Sequence, residues 1–157
     1  LPDVTIDAIQ DAVVAGVVER YHANPVPIIG GAPAQVRRIA RDRPVAIASS
    51  SHRDIIAAAV DALGLREVMG SIVSSDEVPL GKPAPDVYLL AATRLGVAAD
   101  RCLVVEDSVN GVRAGKAAGM TVVLIPNASV PPTGNARDLA DHIVESLADL
   151  DPDALTR

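Results

Sequence analysis

From Pro44 onward, short apolar segments alternate along the chain with longer segments whose apolar residues recur at helical spacing. The strands predicted by this alternation are Val45–Ala48, Ser71–Ser74, Cys102–Val105, Thr121–Ile125 and His142–Val144. The helices are His52–Leu63, Asp86–Leu95 and Ser108–Ala118, each followed by or ending near a glycine, with short helical turns over Ala136–Ala140 and Ser146–Leu150. Strands separated by helices of this length form βαβ units. We therefore predict an α/β fold with a Rossmann-like parallel sheet flanked by helices.

Two further helices are predicted before the first strand. Apolar residues recur at helical spacing over Val4–Ala23, with Asp3 or Thr5 available as the N-cap, and a proline-rich segment then breaks the pattern. A second helix is predicted over Ala32–Asp42, and its arginines form a solvated face. The helical opening is therefore distinct from the alternating part that follows.

Composition excludes several classes of function. A length of 157 residues suits one domain, and a net charge of −6 argues against binding to the phosphate backbone of nucleic acid. Cys102 is the only cysteine, so the chain has no disulfide framework, and its apolar setting predicts a buried structural thiol. No apolar run approaches the roughly 18 residues of a membrane span and no signal peptide is evident, so we expect a cytoplasmic protein.

Polar residues that could bind a ligand or take part in catalysis follow two of the predicted strands and occupy one loop. Ser49, Ser50 and Ser51 precede a helix, where they either form an ordinary N-cap or bind a phosphate with the free N–H groups. Lys82 stands between Gly81 and Pro83 in a stiff loop, as a surface lysine or as a positioned ammonium that neutralises a phosphate.

An adjacent pair of acids ends the third predicted strand. Glu106 and Asp107 diverge along a strand and cannot form a simple acid/base dyad, but at a strand end both can reach a cation such as Mg²⁺. The alternative is that Asp107 only caps the helix after it. Because carboxyl ends of parallel strands share one edge of the sheet, we expect the serines, the lysine and the acids to face one crevice.

In this order the three segments resemble the motifs of the haloacid dehalogenase-like (HAD) hydrolase superfamily. The resemblance covers Pro44–Asn127 and points to the branch of sugar-phosphate phosphatases and β-phosphoglucomutase. Its second motif, an apolar strand ending in Ser or Thr, matches Val45–Ser49, and its third matches Lys82–Pro85. Its fourth, an acidic pair followed by Ser-x-x-Gly, matches Glu106–Gly111.

The resemblance implies roles for individual residues. Ser49 would hydrogen-bond the transferring phosphoryl group with the Ser50 N–H beside it, and Lys82 would bridge that group and the nucleophile. Asp107 would bind Mg²⁺, with Glu106 in or next to the metal's coordination shell. Ser51, His52 and Arg53 would be further substrate contacts beside the phosphate.

One motif of the family is absent. Asp-x-Asp-Gly-Thr after an N-terminal strand supplies the nucleophilic aspartate and the acid/base aspartate, and neither Asp3 nor Asp7 stands in such a setting. By resemblance, residues 1–27 are the second half of a helical cap, and residues 28–157 are the HAD-like core without its first strand. We therefore expect a chain that lacks an N-terminal part and does not hydrolyse phosphate esters alone.

The expected activity is Mg²⁺-dependent hydrolysis of a small phosphorylated metabolite, chiefly a sugar phosphate, through an aspartyl-phosphate. Two alternatives remain open: a phosphosugar mutase, for which Arg53 could supply a second anion site, and a non-catalytic remnant that binds phosphate or a partner. A receiver domain is rejected because no later strand ends in a phospho-accepting aspartate. The sequence indicates no oligomeric state.

Overall fold

The computed structural model describes residues 5–24, 28 and 31–155. The helices are α1 Ile6–Ala23, α2 Ala32–Ile39, α3 Arg53–Ala62, α4 Asp86–Leu95, α5 Val109–Ala117, α6 Ala136–Leu139 and α7 Pro152–Leu155. The strands are β1 Ala46–Ser49, β2 Ser71–Ser74, β3 Leu103–Glu106, β4 Thr121–Leu124 and β5 His142–Ile143. Single 3₁₀ turns cover Arg66–Val68, Ser75–Glu77, Ala99–Arg101 and Leu147–Asp149. The predicted α/β alternation is confirmed.

Several predicted element ends are wrong by one to three residues. β1 and β3 each extend one residue further, so Ser49 and Glu106 are the last residues of their strands. The second helix ends at Ile39 instead of Asp42, because the N–H groups of Arg41 and Asp42 bond three residues back in tighter turns. Val4, Asp3 and residues 25–27 lie outside the described residues, so the boundary between 27 and 28 stays a prediction.

The strands form two parallel sheets instead of the single predicted sheet. β1 pairs with β2 in the register Ala46 to Ser71, and β3, β4 and β5 form the second sheet in that order. Among the described residues, no strand pairs with the free edges of β1 and β3. Both sheets are parallel, so the predicted α/β fold class is confirmed, although the described strands do not join the two sheets into one.

Helices cover both faces of the β1–β2 sheet. Ala46 and Ala48 pack with the larger core cluster, which contains Val87 and Ala91 of α4. Ile47 points the other way and packs with Ile56 of α3 and Val36 of α2. This alternation follows from the two-residue period of a strand, and it places α4 and α3 in opposite layers.

The opening helix α1 is the least buried element. Thr5 is its N-cap and accepts a hydrogen bond from the Ala8 N–H, as the sequence allowed. The helix contacts α3, and Val14 and Tyr21 are half-buried, whereas Ile6 and Ile9 are 81% and 53% exposed. Its apolar stripe is thus only partly covered within the described part of the chain.

Two predictions from composition have a structural outcome. Cys102 lies just before β3 and is half-buried rather than buried, and burial raises the pKa of its thiol. No helix within the described ranges is both long and apolar enough to span a membrane.

Candidate active site

The carboxyl ends of β1 and β3 meet at one lysine. The Lys82 ammonium donates to the Ala48 carbonyl of β1 at 3.0 Å and to Oε1 of Glu106, the last residue of β3, at 2.5 Å. The side chains of Lys82 and Glu106 are each 9% exposed. Because Lys82 contacts both strand ends, the residues that follow β1 and β3 lie near the same crevice.

Glu106 is surrounded by hydrogen-bond donors. Its Oε1 accepts from Lys82 and from the Tyr88 hydroxyl, both at 2.5 Å. Its Oε2 accepts from the Ser108 hydroxyl at 2.9 Å, and the backbone N–H groups of Ser108 and Asp107 lie at 3.3 and 3.2 Å. Burial opposes ionisation, but the Lys82 ammonium and these hydrogen bonds prevail and lower the pKa of Glu106. Glu106 is therefore a buried, ionised anchor.

The Ser-x-x-Gly that follows the acidic pair has a steric explanation. Ser108 is the N-cap of α5, and its hydroxyl accepts from the Gly111 N–H at 3.0 Å while it donates to Glu106. A Cβ at Gly111 would lie 1.9 Å from the carboxyl carbon of Glu106. Only glycine leaves room for the carboxylate here, and Ser108, not Asp107, caps the helix.

Asp107 has the opposite environment. It is exposed, and none of the described residues donates a hydrogen bond to its carboxylate. Within the described ranges, no cluster of three or more His, Cys, Asp or Glu residues could hold a metal ion. One unpaired carboxylate is nevertheless consistent with Mg²⁺, which is commonly held by one or two carboxylates together with waters and substrate phosphate.

The crevice holds a cavity of about 320 Å³. Three residues of the sequence prediction line it, namely Ser50, Lys82 and Asp107. Its other lining residues are Ser108, Val109, Asn110 and the loop from Val130 to Thr133. One hydroxyl or backbone group, one ammonium and one carboxylate thus meet at a single cavity, which suits an anion held beside a cation.

The structure does not bring every predicted residue to this cavity. The Ser49 hydroxyl is engaged by the Ser51 N–H at 3.1 Å, so it forms a local turn. The N-cap of α3 is His52, whose Nδ1 accepts from the Asp54 N–H, so none of the three serines forms the N-cap. The Arg53 N–H donates to Asp76 at 3.1 Å. None of these four lines the cavity, so their substrate roles remain predictions and the mutase alternative gains no support from Arg53.

Sequence reasoning missed Tyr88, Asn110, Gly111 and the loop 130–133. Tyr88 is 7% exposed, and burial together with the neighbouring Glu106 charge raises the pKa of its hydroxyl. The chain has only two tyrosines, no Phe and no Trp, and this rarity was the one signal that could have drawn attention to Tyr88. The loop carries no motif, because its contribution depends on tertiary position alone.

Fold and site together define an α/β protein whose parallel strands end beside a cavity lined by Ser50, Lys82 and Asp107. A family model described as haloacid dehalogenase-like hydrolase matches residues 4–119, which is more than half of the chain. The chain therefore belongs to the haloacid dehalogenase-like hydrolases.

Named relatives agree with this membership. The chain is 46% identical over 108 residues to the bifunctional riboflavin kinase/FMN phosphatase of Arabidopsis thaliana, covering 68% of this chain and 28% of that protein. It is 36% identical over 138 residues to a probable pseudouridine-5'-phosphatase of Drosophila melanogaster, covering 87% and 53%. The structure of CbbY from Rhodobacter sphaeroides in complex with phosphate superposes with a TM-score of 0.88 at 28% identity, covering 99% of this chain and 70% of CbbY. The chain thus spans about half or less of these two curated relatives.

Proposed function

We propose that this chain contributes the phosphate-binding and metal-binding part of a Mg²⁺-dependent phosphohydrolase. Its substrate is a small phosphorylated metabolite, chiefly a sugar phosphate, and the reaction proceeds through an aspartyl-phosphate whose Asp lies outside residues 1–157. The observation that carries the proposal is the meeting of Ser50, Lys82 and Asp107 at one cavity. Phosphatase relatives in a plant and an insect support the substrate class.

Each lining residue has a role that its environment allows. Two of the three Lys82 donors bond Ala48 and Glu106, so the third is available to a phosphoryl oxygen in the cavity. Ser50 follows β1 and can donate to the same oxygens. The unpaired Asp107 carboxylate would hold Mg²⁺, with Glu106 beneath it as an anchor; the bound metal would neutralise charge that develops on the phosphoryl group.

The place of the absent nucleophile is suggested by a second cavity. This cavity has a volume of about 730 Å³ and lies between Val45–Ala48 and Cys102–Val105, which include most of β1 and β3. Residues of α4 and α2 also line it. Residues of both β1 and β3 line this cavity, so it lies where one inserted strand would join the two sheets.

We propose that one parallel strand occupies this cavity and joins the two sheets. Residues after that strand would emerge between Ser50 and Asp107, beside the Lys82 ammonium. An aspartate there would face the phosphoryl group with its charge compensated by Lys82. This arrangement supports the expectation that the chain alone is inactive and that the first motif belongs to an inserted strand.

The experiment is a phosphate-release assay on a panel of sugar phosphates with Mg²⁺, first with the 157-residue chain alone. We expect no turnover above background. Co-expression with the coding sequence upstream, or addition of a peptide with an apolar strand followed by Asp-x-Asp-Gly-Thr, should restore turnover, and Asp107→Asn should abolish it. Robust turnover by the chain alone contradicts the external nucleophile. A peptide that binds in the cavity without restoring turnover contradicts the phosphohydrolase.

A further inference from the structure

The Lys82 ammonium is held by more than its two acceptors. Its Nζ lies 4.6 Å from the centre of the Tyr88 ring, a distance at which a cation is attracted to the face of an aromatic ring. The Tyr88 hydroxyl meanwhile donates to the same Glu106 oxygen that accepts from Lys82. Tyr88 therefore contacts both members of the buried ion pair.

Glu106 has no oxygen left for another partner in this arrangement. A carboxylate offers about four lone-pair sites, and five donors surround this one. Tyr88 and Lys82 share Oε1, so the direction of the carboxylate depends on both donors. The direction of the Lys82 ammonium depends in turn on where Oε1 lies.

The tyrosine itself is rigidly placed. Tyr88 lies in the first turn of α4 and belongs to the main core cluster with Val87 and Ala91. Its hydroxyl thus approaches Glu106 from a packed helix instead of a loop. Lys82 precedes that helix in a loop, and its ammonium has three N–H donors. The orientation of these donors must therefore be fixed by groups outside the loop.

We propose that Tyr88 is a positioning residue for Lys82. The hydroxyl holds Oε1 of Glu106, and the ring lies against the ammonium, so that the third N–H of Lys82 points into the cavity of Ser50 and Asp107. The use of that N–H for phosphate rests on the proposed function above. The geometry of Lys82 does not, and it can be measured with no ligand present.

The composition of the chain makes the measurement direct. Lys82 and Lys116 are the only lysines, and Tyr21 and Tyr88 the only tyrosines. Lys116 pairs with Asp141 and its side chain is 38% exposed, so Lys116→Arg leaves Lys82 as the single lysine. In that background, Tyr88→Phe removes the hydroxyl and keeps the ring, and Tyr21→Phe on α1 is the matched control.

The first arm follows the ¹⁵N-labelled Lys82 ammonium by NMR without ligand. The free energy of a hydrogen bond to a charged group corresponds to a factor of about ten or more in an equilibrium constant. Tyr88→Phe should therefore accelerate exchange of the Lys82 ammonium protons about tenfold, and Tyr21→Phe should leave this exchange unchanged. The second arm titrates inorganic phosphate in the presence of Mg²⁺ at a temperature where all variants are folded. We expect about tenfold weaker binding for Tyr88→Phe alone.

The outcomes separate the two proposals. If the parent chain binds no phosphate but its Lys82 signal depends on Tyr88, the proposed function fails and the positioning role stands. If Tyr88→Phe is folded and leaves the Lys82 signal unchanged, the positioning role is overturned. Should Tyr88→Phe not fold, Tyr21→Phe leaves Tyr88 as the sole aromatic chromophore. In that background Lys82→Met must then shift the near-ultraviolet spectrum of Tyr88. An unchanged spectrum overturns the positioning role of Tyr88 equally.

Discussion

Replacing Gly111 by alanine tests how firmly the Glu106 carboxylate is held beneath the site, and it does so more directly than removing a functional group. The new Cβ would lie 1.9 Å from the carboxyl carbon of Glu106 and 2.1 Å from each oxygen, against an ordinary contact of 3.4 Å or more. The helix backbone of α5 cannot yield easily, so the carboxylate must move by about 1.5 Å. Its bonds to Lys82, Tyr88 and Ser108 would then be broken or stretched.

Two opposing contributions set the change in the free energy of unfolding that Gly111→Ala should cause. Glycine to alanine inside a helix stabilises by about 1 kcal/mol when nothing else changes. A hydrogen bond to a charged group contributes about 1.5–3 kcal/mol, and the carboxylate would lose at least two of them. The stability of Gly111→Ala should therefore fall by about 2 kcal/mol or more, although intrinsic helix propensity alone favours the substitution.

The assay is urea-induced unfolding followed by circular dichroism, with Gly16→Ala as the control. Gly16 lies inside α1, and an added Cβ there would meet nothing within 4 Å, so alanine should stabilise by about 0.5–1 kcal/mol. Both variants add a methyl group to a helix, at Gly111 in the first turn of α5 and at Gly16 in the middle of α1. The new Cβ meets Glu106 only at Gly111.

A double-mutant cycle decides whether Glu106 is the cause. In a Glu106→Ala background the carboxylate is gone, so Gly111→Ala should cost at least about 2 kcal/mol less than it does in the parent chain. The reasoning is refuted if Gly111→Ala is neutral or stabilising in the parent chain. It is refuted equally if the substitution remains as destabilising after Glu106 has been removed.

Three further predictions concern the same site and the sheet beside it. Asp107→Asn should weaken Mg²⁺ binding measured by calorimetry and leave the urea midpoint unchanged, because its carboxylate is exposed and accepts no hydrogen bond from the described residues; an unchanged affinity would count against the metal role. The pKa of Glu106 is lowered on folding, so its stabilisation is present above the ordinary value of about 4.3 and is lost as pH falls through the lowered one. Lys82→Met removes the main cause of that lowering, while burial still raises the pKa of Glu106 and the hydrogen bonds from Tyr88 and Ser108 still lower it. This variant should therefore lose less stability than the parent chain as pH falls. Urea midpoints across pH 3–8 (about the range bracketing carboxyl titration) compare the two slopes. Gly115→Ala would place a Cβ 2.7 Å from Val122 Cγ2, and the overpacking should cost about 1–3 kcal/mol in the same unfolding assay.

Much of the fold could be predicted because it depends on local rules. Side-chain periodicity marked the strands and helices, and each predicted strand is present within a residue or so. The placing of Lys82 and Asp107 at one crevice also followed, since carboxyl ends of parallel strands share an edge. Local patterns do not state which strands pair, and the division into two sheets was accordingly missed.

The direction of each site side chain could not be predicted. Glu106 and Asp107 are neighbours in one acidic pair, yet one is buried under five donors and the other is exposed. The donors that decide this come from Lys82 and Tyr88, which lie 24 and 18 residues away. Arg53 and His52 were expected at the cavity, but neither lines it: the His52 side chain accepts from the Asp54 N–H, and the Arg53 backbone N–H donates to Asp76.

The sequence by itself determined the α/β alternation, the three motif segments and the family to which they belong, because each is encoded in spacing over a few residues. The tertiary structure alone decided that Glu106 is buried while Asp107 is exposed, that Tyr88 contacts both the lysine and its partner, and that a cavity lies between β1 and β3. These features arise where segments distant in sequence come into contact. Their energies depend on burial and on shared donors, and both exist only once the chain has folded.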